Sequence, residues 1–247
     1  MDSPAQGPQD ATSFTRASNQ AVLDALPFAD TQDFEDARRG FIATLPEVEI
    51  TNAQGRIVWS LRDYAFLDDA HAPPTVNPSL WRQARLNMHH GLFEVTEGIY
   101  QVRGFDISNM TLIEGERGLI VIDPLISTEV AHAALELYCR HRGPRPVTAV
   151  IYSHSHTDHY GGVRGVVDEA EVRAGRVEIW APDRFMQEIV SENVLAGTAM
   201  VRRRRPRARE PGRGPGHEPR SLLRLPGRAA RRREGRGRQP GRQLDLP

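Results

Sequence analysis

Residues 147–162 read VTAVIYSHSHTDHYGG, an apolar run followed at once by three histidines and one aspartate within six positions. The apolar run predicts a buried strand over 147–152, because short runs rich in valine and isoleucine pack inside sheets. Imidazole and carboxylate are ligands that zinc accepts, and a catalytic zinc keeps three protein ligands and a water. The stretch therefore predicts a metal site at the carboxyl end of a strand, of the kind that activates water for hydrolysis.

The spacing of these side chains suggests two neighbouring ions. In an extended chain with a period of two residues, His154 and His156 project to the same side, where both can bind one ion. Asp158 and His159 follow where the chain turns, and we expect their side chains to face a second ion. Bound zinc lowers the pKa of a water to ~7. Asp158 is therefore also our candidate catalytic residue, as the group that orients this water for attack.

A structural role for these residues is the main alternative. A lone histidine in a loop is usually solvated or hydrogen-bonded, and we expect Ser155 and Thr157 to be only small spacers or hydrogen-bonding partners of the ligands. A structural zinc normally recruits cysteine, whereas the chain has one cysteine, Cys139, inside a predicted helix. Four metal-binding side chains within six positions therefore favour a catalytic site.

Several other stretches of sequence accompany this motif. They read DFEDARRGF at 33–41, GLFEV at 91–95, GIYQVRGFDISNMT at 98–111, VIDPL at 121–125 and NVLAGTAM at 193–200. Together with His-x-His-x-Asp-His after a strand, they resemble the zinc-dependent alkylsulfatases of the metallo-β-lactamase superfamily. The resemblance covers roughly residues 14–200.

The resemblance implies a fold and an activity. The fold would be of the α/β (α+β) class, the N-terminal half of an αββα sandwich. The activity would be hydrolysis of alkyl sulfate esters, such as dodecyl sulfate, to an alcohol and inorganic sulfate at two zinc ions. The family pattern assigns His154 and His156 to the first ion and Asp158 and His159 to the second, with further ligands downstream. A homodimer is also possible, and another hydrolase of the superfamily, acting on thioesters or lactams, is the alternative.

Composition changes abruptly after Met200. The first 200 residues carry 16 Arg against 28 acidic residues and the last 47 carry 16 Arg against 4, so the net charge of zero divides into −12 and +12. Arg, Gly, Pro and Ala make up 33 of those 47 residues, which cannot bury enough apolar surface to offset the entropy of ordering the backbone. We interpret the segment as a disordered tail produced by truncation or a frameshift in a GC-rich gene. Nucleic-acid binding by its Arg/Gly stretches is a minor alternative, because no aromatic residue is interleaved to stack on bases.

We accordingly divide the chain into a disordered start at 1–18, an incomplete metallo-β-lactamase-like domain at 19–200 and the tail at 201–247. The last histidine, His217, falls in the tail, so an inactive remnant is an alternative to an active enzyme. Residues 1–18 lack the basic start and apolar stretch of a secretory signal, and no apolar run approaches the ~20 residues of a membrane span. We therefore expect a cytoplasmic protein, with export as in some relatives as the alternative, and the resemblance implies a small-molecule alkyl sulfate substrate.

Periodicity predicts the elements around the motif. An amphipathic helix over 128–141, capped by Ser127, precedes the strand at 147–152. Gly161 and Gly162 are expected to free the backbone for a turn into a helix that begins near Val163. The remaining predictions are helices at 19–26, 33–43, 78–88 and 182–194, and strands at 57–59, 91–95, 99–102, 110–114, 119–123 and 177–180.

Other polar residues have less certain roles. Asp123 ends a predicted strand, where it either supports a metal ligand by hydrogen bonding or accepts from turn amides. His89 and His90 are expected to be structural. The carboxylates after the motif are expected mostly to lie on solvated helix faces: Asp168, Glu169, Glu171, Glu178, Asp183, Glu188 and Glu192.

Overall fold

The computed structural model describes residues 9–46, 48–197 and 242–243. Its helices are α1 Ser13–Ala25, α2 Gln32–Arg38, α3 Pro78–Asn87, α4 Thr128–Arg142, α5 Glu169–Arg173 and α6 Phe185–Ile189. Its strands are β1 Phe41–Ala43, β2 Glu49–Thr51, β3 Ile57–Ser60, β4 Gly91–Thr96, β5 Ile99–Arg103, β6 Met110–Glu114, β7 Leu119–Ile122, β8 Val147–Ile151, β9 Glu178–Ala181 and β10 Arg242–Gln243. Short 3₁₀ turns and one π-helix, Val190–Leu195, connect them.

One large sheet organises these elements, in the order β1-β4-β5-β6-β7-β8-β9-β10. Strands β1 to β7 in this order pair antiparallel, whereas β7, β8 and β9 run parallel. Strands β2 and β3 form a separate hairpin. Paired residues on one face form a continuous buried row across five strands: Tyr100, Leu112, Val121, Val150 and Ile179.

Helix α4 covers the buried face of the sheet. Its side chains Val130, Ala134 and Tyr138 are inaccessible to solvent, and the Tyr138 ring meets that of Tyr100 edge to face at 5.6 Å. The Ser127 hydroxyl accepts from the Val130 amide at 3.4 Å, which confirms the predicted cap. A helix layered on a mixed sheet confirms the α/β fold class.

Some predicted boundaries are wrong at the start of the chain. Residues 13–18, predicted as part of a disordered start, form the first turns of α1, because the Thr12 hydroxyl accepts from the Thr15 amide and caps the helix. The helix predicted over 33–43 ends at Arg38. Gly40 follows with a φ of +74°, and a Cβ there would lie 1.9 Å from the Glu94 carbonyl oxygen, so the chain enters β1 beside β4.

Two predictions after the sheet also need correction. A single 3₁₀ turn, Val163–Gly165, replaces the helix expected to begin near Val163. The helix predicted over 182–194 begins at Phe185 and widens into the π-helix. The predicted tail lies outside the described residues except for 242–243, which pair with β9, and its disorder stays a prediction. No helix in the described part of the chain is long and apolar enough to cross a membrane.

Candidate metal centre

The predicted metal-binding residues lie in a loop that leaves β8, residues 152–162, here called the histidine loop. Strands β7 and β8 are parallel and Ile122 pairs with Ile151, so both strands end at the same edge of the sheet. Asp123 follows β7 directly, and its amide donates to the Ile151 carbonyl at 3.0 Å. The sheet therefore brings Asp123 to the base of the histidine loop, as expected for ligand sites at the carboxyl ends of parallel strands.

Asp123 holds the base of this loop through three hydrogen bonds. Its Oδ1 accepts from the Ser153 amide at 2.8 Å, and its Oδ2 accepts from the Ser153 hydroxyl at 2.6 Å and from Nδ1 of His159 at 2.9 Å. Both roles considered for Asp123, support of a histidine and acceptance from turn amides, are therefore present. Its φ is 55° and that of Leu125 is 61°. Left-handed backbone is uncommon outside glycine, and residues that adopt it concentrate at functional sites.

The three imidazoles of the motif form a cluster. The His154 ring centroid lies 4.6 Å from that of His156 and 4.0 Å from that of His159. Since an ionised carboxylate only accepts, Nδ1 of His159 carries its proton towards Asp123, and Nε2 keeps the free lone pair. The Ser153 hydroxyl, which donates to Asp123, accepts from Nδ1 of His154 at 2.9 Å. His154 and His159 thus both have Nε2 available for a metal.

Asp158 and His159 have the spacing of two ligands of one ion. Oδ2 of Asp158 lies 3.3 Å from Nε2 of His159. Two ligands in a tetrahedron around zinc, with bonds of ~2.0–2.2 Å, are roughly 3.3–3.5 Å apart. Asp158 is buried, and its carbonyl accepts from the Ser108 hydroxyl, which ties the histidine loop to the loop after β5.

Burial shapes the electrostatics of the cluster. Burial first, and then the neighbouring His159 and His156, lower the pKa of the His154 imidazole below its usual value, although Asp123 and Asp158 act in the opposite direction. A lower pKa keeps this imidazole neutral at neutral pH. Neutral imidazole is the form that binds metal ions.

The two glycines after the motif pack against the neighbouring loop. A Cβ on Gly161 would lie 2.3 Å from the Ile126 carbonyl oxygen, and one on Gly162 would lie 2.1 Å from that of Pro124. Neither glycine has a positive φ. Their expected role in freeing the backbone is therefore corrected: glycine is required because two backbone segments approach closely.

The π-helix contacts the other side of the histidine loop. Glu192 accepts from the Ser155 hydroxyl at 2.9 Å, and its Oε1 lies 3.7 Å from Nε2 of His156. Asn193 accepts from the Thr157 hydroxyl at 3.0 Å. The Ser155 and Thr157 hydroxyls thus bond to the π-helix, and their expected role as hydrogen-bonding partners of the ligands stays a prediction. Glu192 does not lie on a solvated helix face, and the sequence carries no periodic signal that separates it from its neighbours.

The other polar residues have partners away from the histidine loop. Glu169 and Glu171 pair with arginines on the surface. Nδ1 of His90 lies 2.7 Å from the Thr44 hydroxyl, and Nε2 of His89 is buried without a hydrogen-bond partner. His217 lies outside the described residues.

Two donors are present for each expected ion. Within residues 9–46 and 48–197, no group of three or more His, Cys, Asp or Glu side chains is placed to bind a single ion. The four predicted ligands would act as two pairs, His154 with His156 and Asp158 with His159. Imidazole and carboxylate suit zinc chemically, and the assignment of the ligands stays a prediction.

Comparison with known proteins gives a consistent family. A sequence model of the metallo-beta-lactamase superfamily matches residues 103–233. The chain is 57% identical over 194 residues to a linear primary-alkylsulfatase of Pseudomonas sp., and 56% identical over 193 residues to an (R)-specific secondary-alkylsulfatase of Pseudomonas sp.. Each alignment covers 78% of this chain and 29% of the relative.

A solved structure shares the fold at the same level of identity. It is a stereoselective inverting sec-alkylsulfatase from Pseudomonas sp., with a TM-score of 0.74 and 56% identity over 79% of this chain and 31% of that one. The chain therefore spans less than a third of the length of the relatives it matches.

Proposed function

The chain belongs to the metallo-beta-lactamase superfamily, and we propose that it hydrolyses alkyl sulfate esters to an alcohol and inorganic sulfate with the aid of zinc. One observation carries this proposal. Three imidazoles and a buried carboxylate converge at the end of β8, within the region that is 57% identical to a linear primary-alkylsulfatase.

We assign the metal-binding roles by pairs. His154 and His156 would hold one zinc, and Asp158 and His159 the other. Bound zinc would supply a water of lowered pKa and a positive field for the sulfate. Asp123 fixes the ring of His159 through Nδ1, and Ser153 fixes that of His154. We infer that the carboxylate of Asp158 accepts a hydrogen bond from the attacking water and so orients the lone pair of its oxygen.

The name of one relative supports a proposal for the bond that is cleaved. The solved sec-alkylsulfatase is an inverting enzyme, and inversion at carbon requires attack at the carbon that bears the sulfate group. We propose the same course here. The oxygen of water forms a bond to carbon, the carbon–oxygen bond of the ester breaks with its electron pair going to the departing sulfate, and the proton that the water loses passes to solvent.

Turnover in ¹⁸O-labelled water tests both the reaction and its course. The purified chain, supplied with zinc, is incubated with dodecyl sulfate and with a secondary alkyl sulfate, because relatives of both kinds are almost equally identical to it. We expect the label in the alcohol. Label in the sulfate would refute carbon–oxygen cleavage, and absence of turnover by protein that has bound zinc would refute the activity.

A panel of thioesters and lactams in the same assay tests the alternative substrates.

Two variants test the role of the histidine loop in the reaction. His154→Ala removes one proposed ligand, and His132→Ala, which removes an exposed histidine on α4, is the matched control. We expect only His154→Ala to abolish sulfate release.

Cytoplasmic localisation and a homodimeric state stay predictions.

A further inference from the structure

Glu192 has contacts that the proposed reaction does not use. We propose that it is a positioning residue whose carboxylate fixes the ring of His156, so that Nδ1 of this histidine is the nitrogen available to the metal. The inference rests on the proposed function, which supplies the metal, whereas the contact between Glu192 and His156 involves protein groups only.

The carboxylate of Glu192 touches two consecutive residues of the histidine loop. Its Oε2 accepts from the Ser155 hydroxyl at 2.9 Å, and its Oε1 lies 3.7 Å from Nε2 of His156. The Glu192 side chain is 31% exposed and that of His156 is 44% exposed. In the described part of the chain, no arginine forms an ion pair with Glu192. Its charge therefore faces the histidine loop rather than a basic partner on the surface.

The contact at 3.7 Å favours one tautomer of His156. An ionised carboxylate only accepts, so Glu192 stabilises the form of His156 in which Nε2 carries the proton and Nδ1 has the lone pair. His154 and His159 are held in the opposite sense, through Nδ1, by Ser153 and Asp123. Each imidazole of the cluster thus has a protein oxygen beside the nitrogen that carries the proton, and the other nitrogen keeps its lone pair; in His159 that nitrogen lies 3.3 Å from Oδ2 of Asp158. Histidines that bind metals usually have such a partner on the second nitrogen.

The π-helix explains how Glu192 and its neighbour reach the same loop. Adjacent residues of an α-helix point about 100° apart, whereas the wider π-helical turn reduces this divergence. Asn193 accepts from the Thr157 hydroxyl at 3.0 Å while Glu192 contacts Ser155 and His156. The side chains of two consecutive residues of the π-helix therefore contact three consecutive residues of the histidine loop. π-Helical turns are frequent at functional sites.

The first test uses metal-free protein. Long-range ¹H–¹⁵N spectra of the wild type should show Nε2 of His156 protonated, and ¹³C relaxation should show an ordered His156 ring. In Glu192→Ala we expect this ring to become mobile while that of His159 stays ordered, because Asp123 still holds it. A wild-type His156 protonated on Nδ1, or an equally ordered His156 ring in the variant, would overturn the proposal.

The second test measures zinc affinity by competition with a chromophoric chelator. We expect Glu192→Ala to bind zinc ~10–100-fold more weakly than the wild type, the usual effect of removing a partner of a ligand. Glu192→Gln keeps an acceptor for Ser155 and should fall between the two. The control is Glu188→Ala, which removes an exposed carboxylate one turn earlier that pairs with Arg184 at 3.8 Å. It should match the wild type, and thermal melts should show that all variants fold.

These outcomes separate the two proposals. Equal zinc affinity of wild type and Glu192→Ala refutes the positioning role while the metal site stands. A wild type that takes up no zinc refutes the metal assignment, and the order of the His156 ring then decides on Glu192 by itself.

Discussion

Replacing Asp123 by Asn should lower the free energy of unfolding and remove the hydrogen-bond acceptor of His159 in the histidine loop. Asparagine has the same shape as aspartate and tolerates the left-handed φ of 55° at this position. The substitution therefore adds no backbone strain. The amide oxygen can still accept from the Ser153 amide. The amide nitrogen, however, replaces the oxygen that accepts from the Ser153 hydroxyl and from His159, and an amide nitrogen cannot accept.

The magnitude follows from the bonds that are lost. The Ser153 hydroxyl can turn to accept from the new amide, which leaves His159 as the group without an acceptor. Hydrogen bonds to charged groups contribute about 1.5–3 kcal/mol. The Asp123 and His159 side chains are only 12% and 21% exposed, so solvent replaces little of this loss. We expect Asp123→Asn to lower the free energy of unfolding by about 2 kcal/mol.

Urea unfolding at neutral pH, followed by circular dichroism, measures this change. Asp168→Asn is the matched control, because Asp168 is exposed and its side chain makes no cap hydrogen bond to α5. That control should stay within about 0.5 kcal/mol of the wild type. Equal stabilities of Asp123→Asn and Asp168→Asn would show that the three hydrogen bonds do not hold the loop, and the reasoning about His159 would fall with them.

Three further changes test other parts of the structure. Gly162→Ala places a Cβ 2.1 Å from the Pro124 carbonyl oxygen and should lower the free energy of unfolding in urea by about 1–3 kcal/mol. Gly197→Ala places its Cβ in open space and should leave the free energy of unfolding unchanged. Although burial raises the pKa of Glu114, the hydrogen bond from Tyr138 helps to lower it below its usual value. Because the folded-state pKa is depressed, this stabilisation is present above the unfolded pKa of ~4.3 and is lost as the pH falls through the folded pKa. The stability difference between the wild type and Glu114→Gln, about 1–3 kcal/mol at pH 7, should therefore vanish in acid. Removal of zinc with a chelator should abolish sulfate release and leave the unfolding transition cooperative; loss of the transition would instead indicate a structural metal.

The sequence predicts those parts of the fold that depend on interactions between residues close together in the chain. The strands around the motif and helix α4 follow from local periodicity, and Ser127 caps α4 because its hydroxyl reaches an amide only three residues away. The clustering of His154, His156 and His159 follows in the same way from an extended chain that turns. These predictions need no knowledge of what packs against the chain.

The contacts that hold the loop depend on residues far apart in sequence. Ser108 reaches the Asp158 carbonyl across 50 positions and Glu192 reaches Ser155 across 37, so no local pattern marks either residue. The expectation that Gly161 and Gly162 free the backbone for a turn is wrong, because their close packing against residues 124–126 cannot be read from the local sequence. Long-range pairing of this kind explains why the candidate ligands can be predicted from the sequence and most of their partners cannot.

The geometry of the histidine loop is set by protein groups on three sides. Asp123 anchors its start from β7, Ser108 fixes the backbone of Asp158 from the loop after β5, and Glu192 contacts Ser155 and His156 from the π-helix. In a small domain folded by its zinc, the free energy of binding is largely the free energy of folding. Hydrogen bonds from Asp123, Ser108 and Glu192 contribute here to ordering the candidate ligands, and a metal that binds only the folded chain would add about 2.7 kcal/mol of stability at a hundredfold excess over Kd. Such preorganisation is what catalysis requires of a site, because ligands held in advance leave the binding energy of the ion for polarising water rather than for ordering the chain.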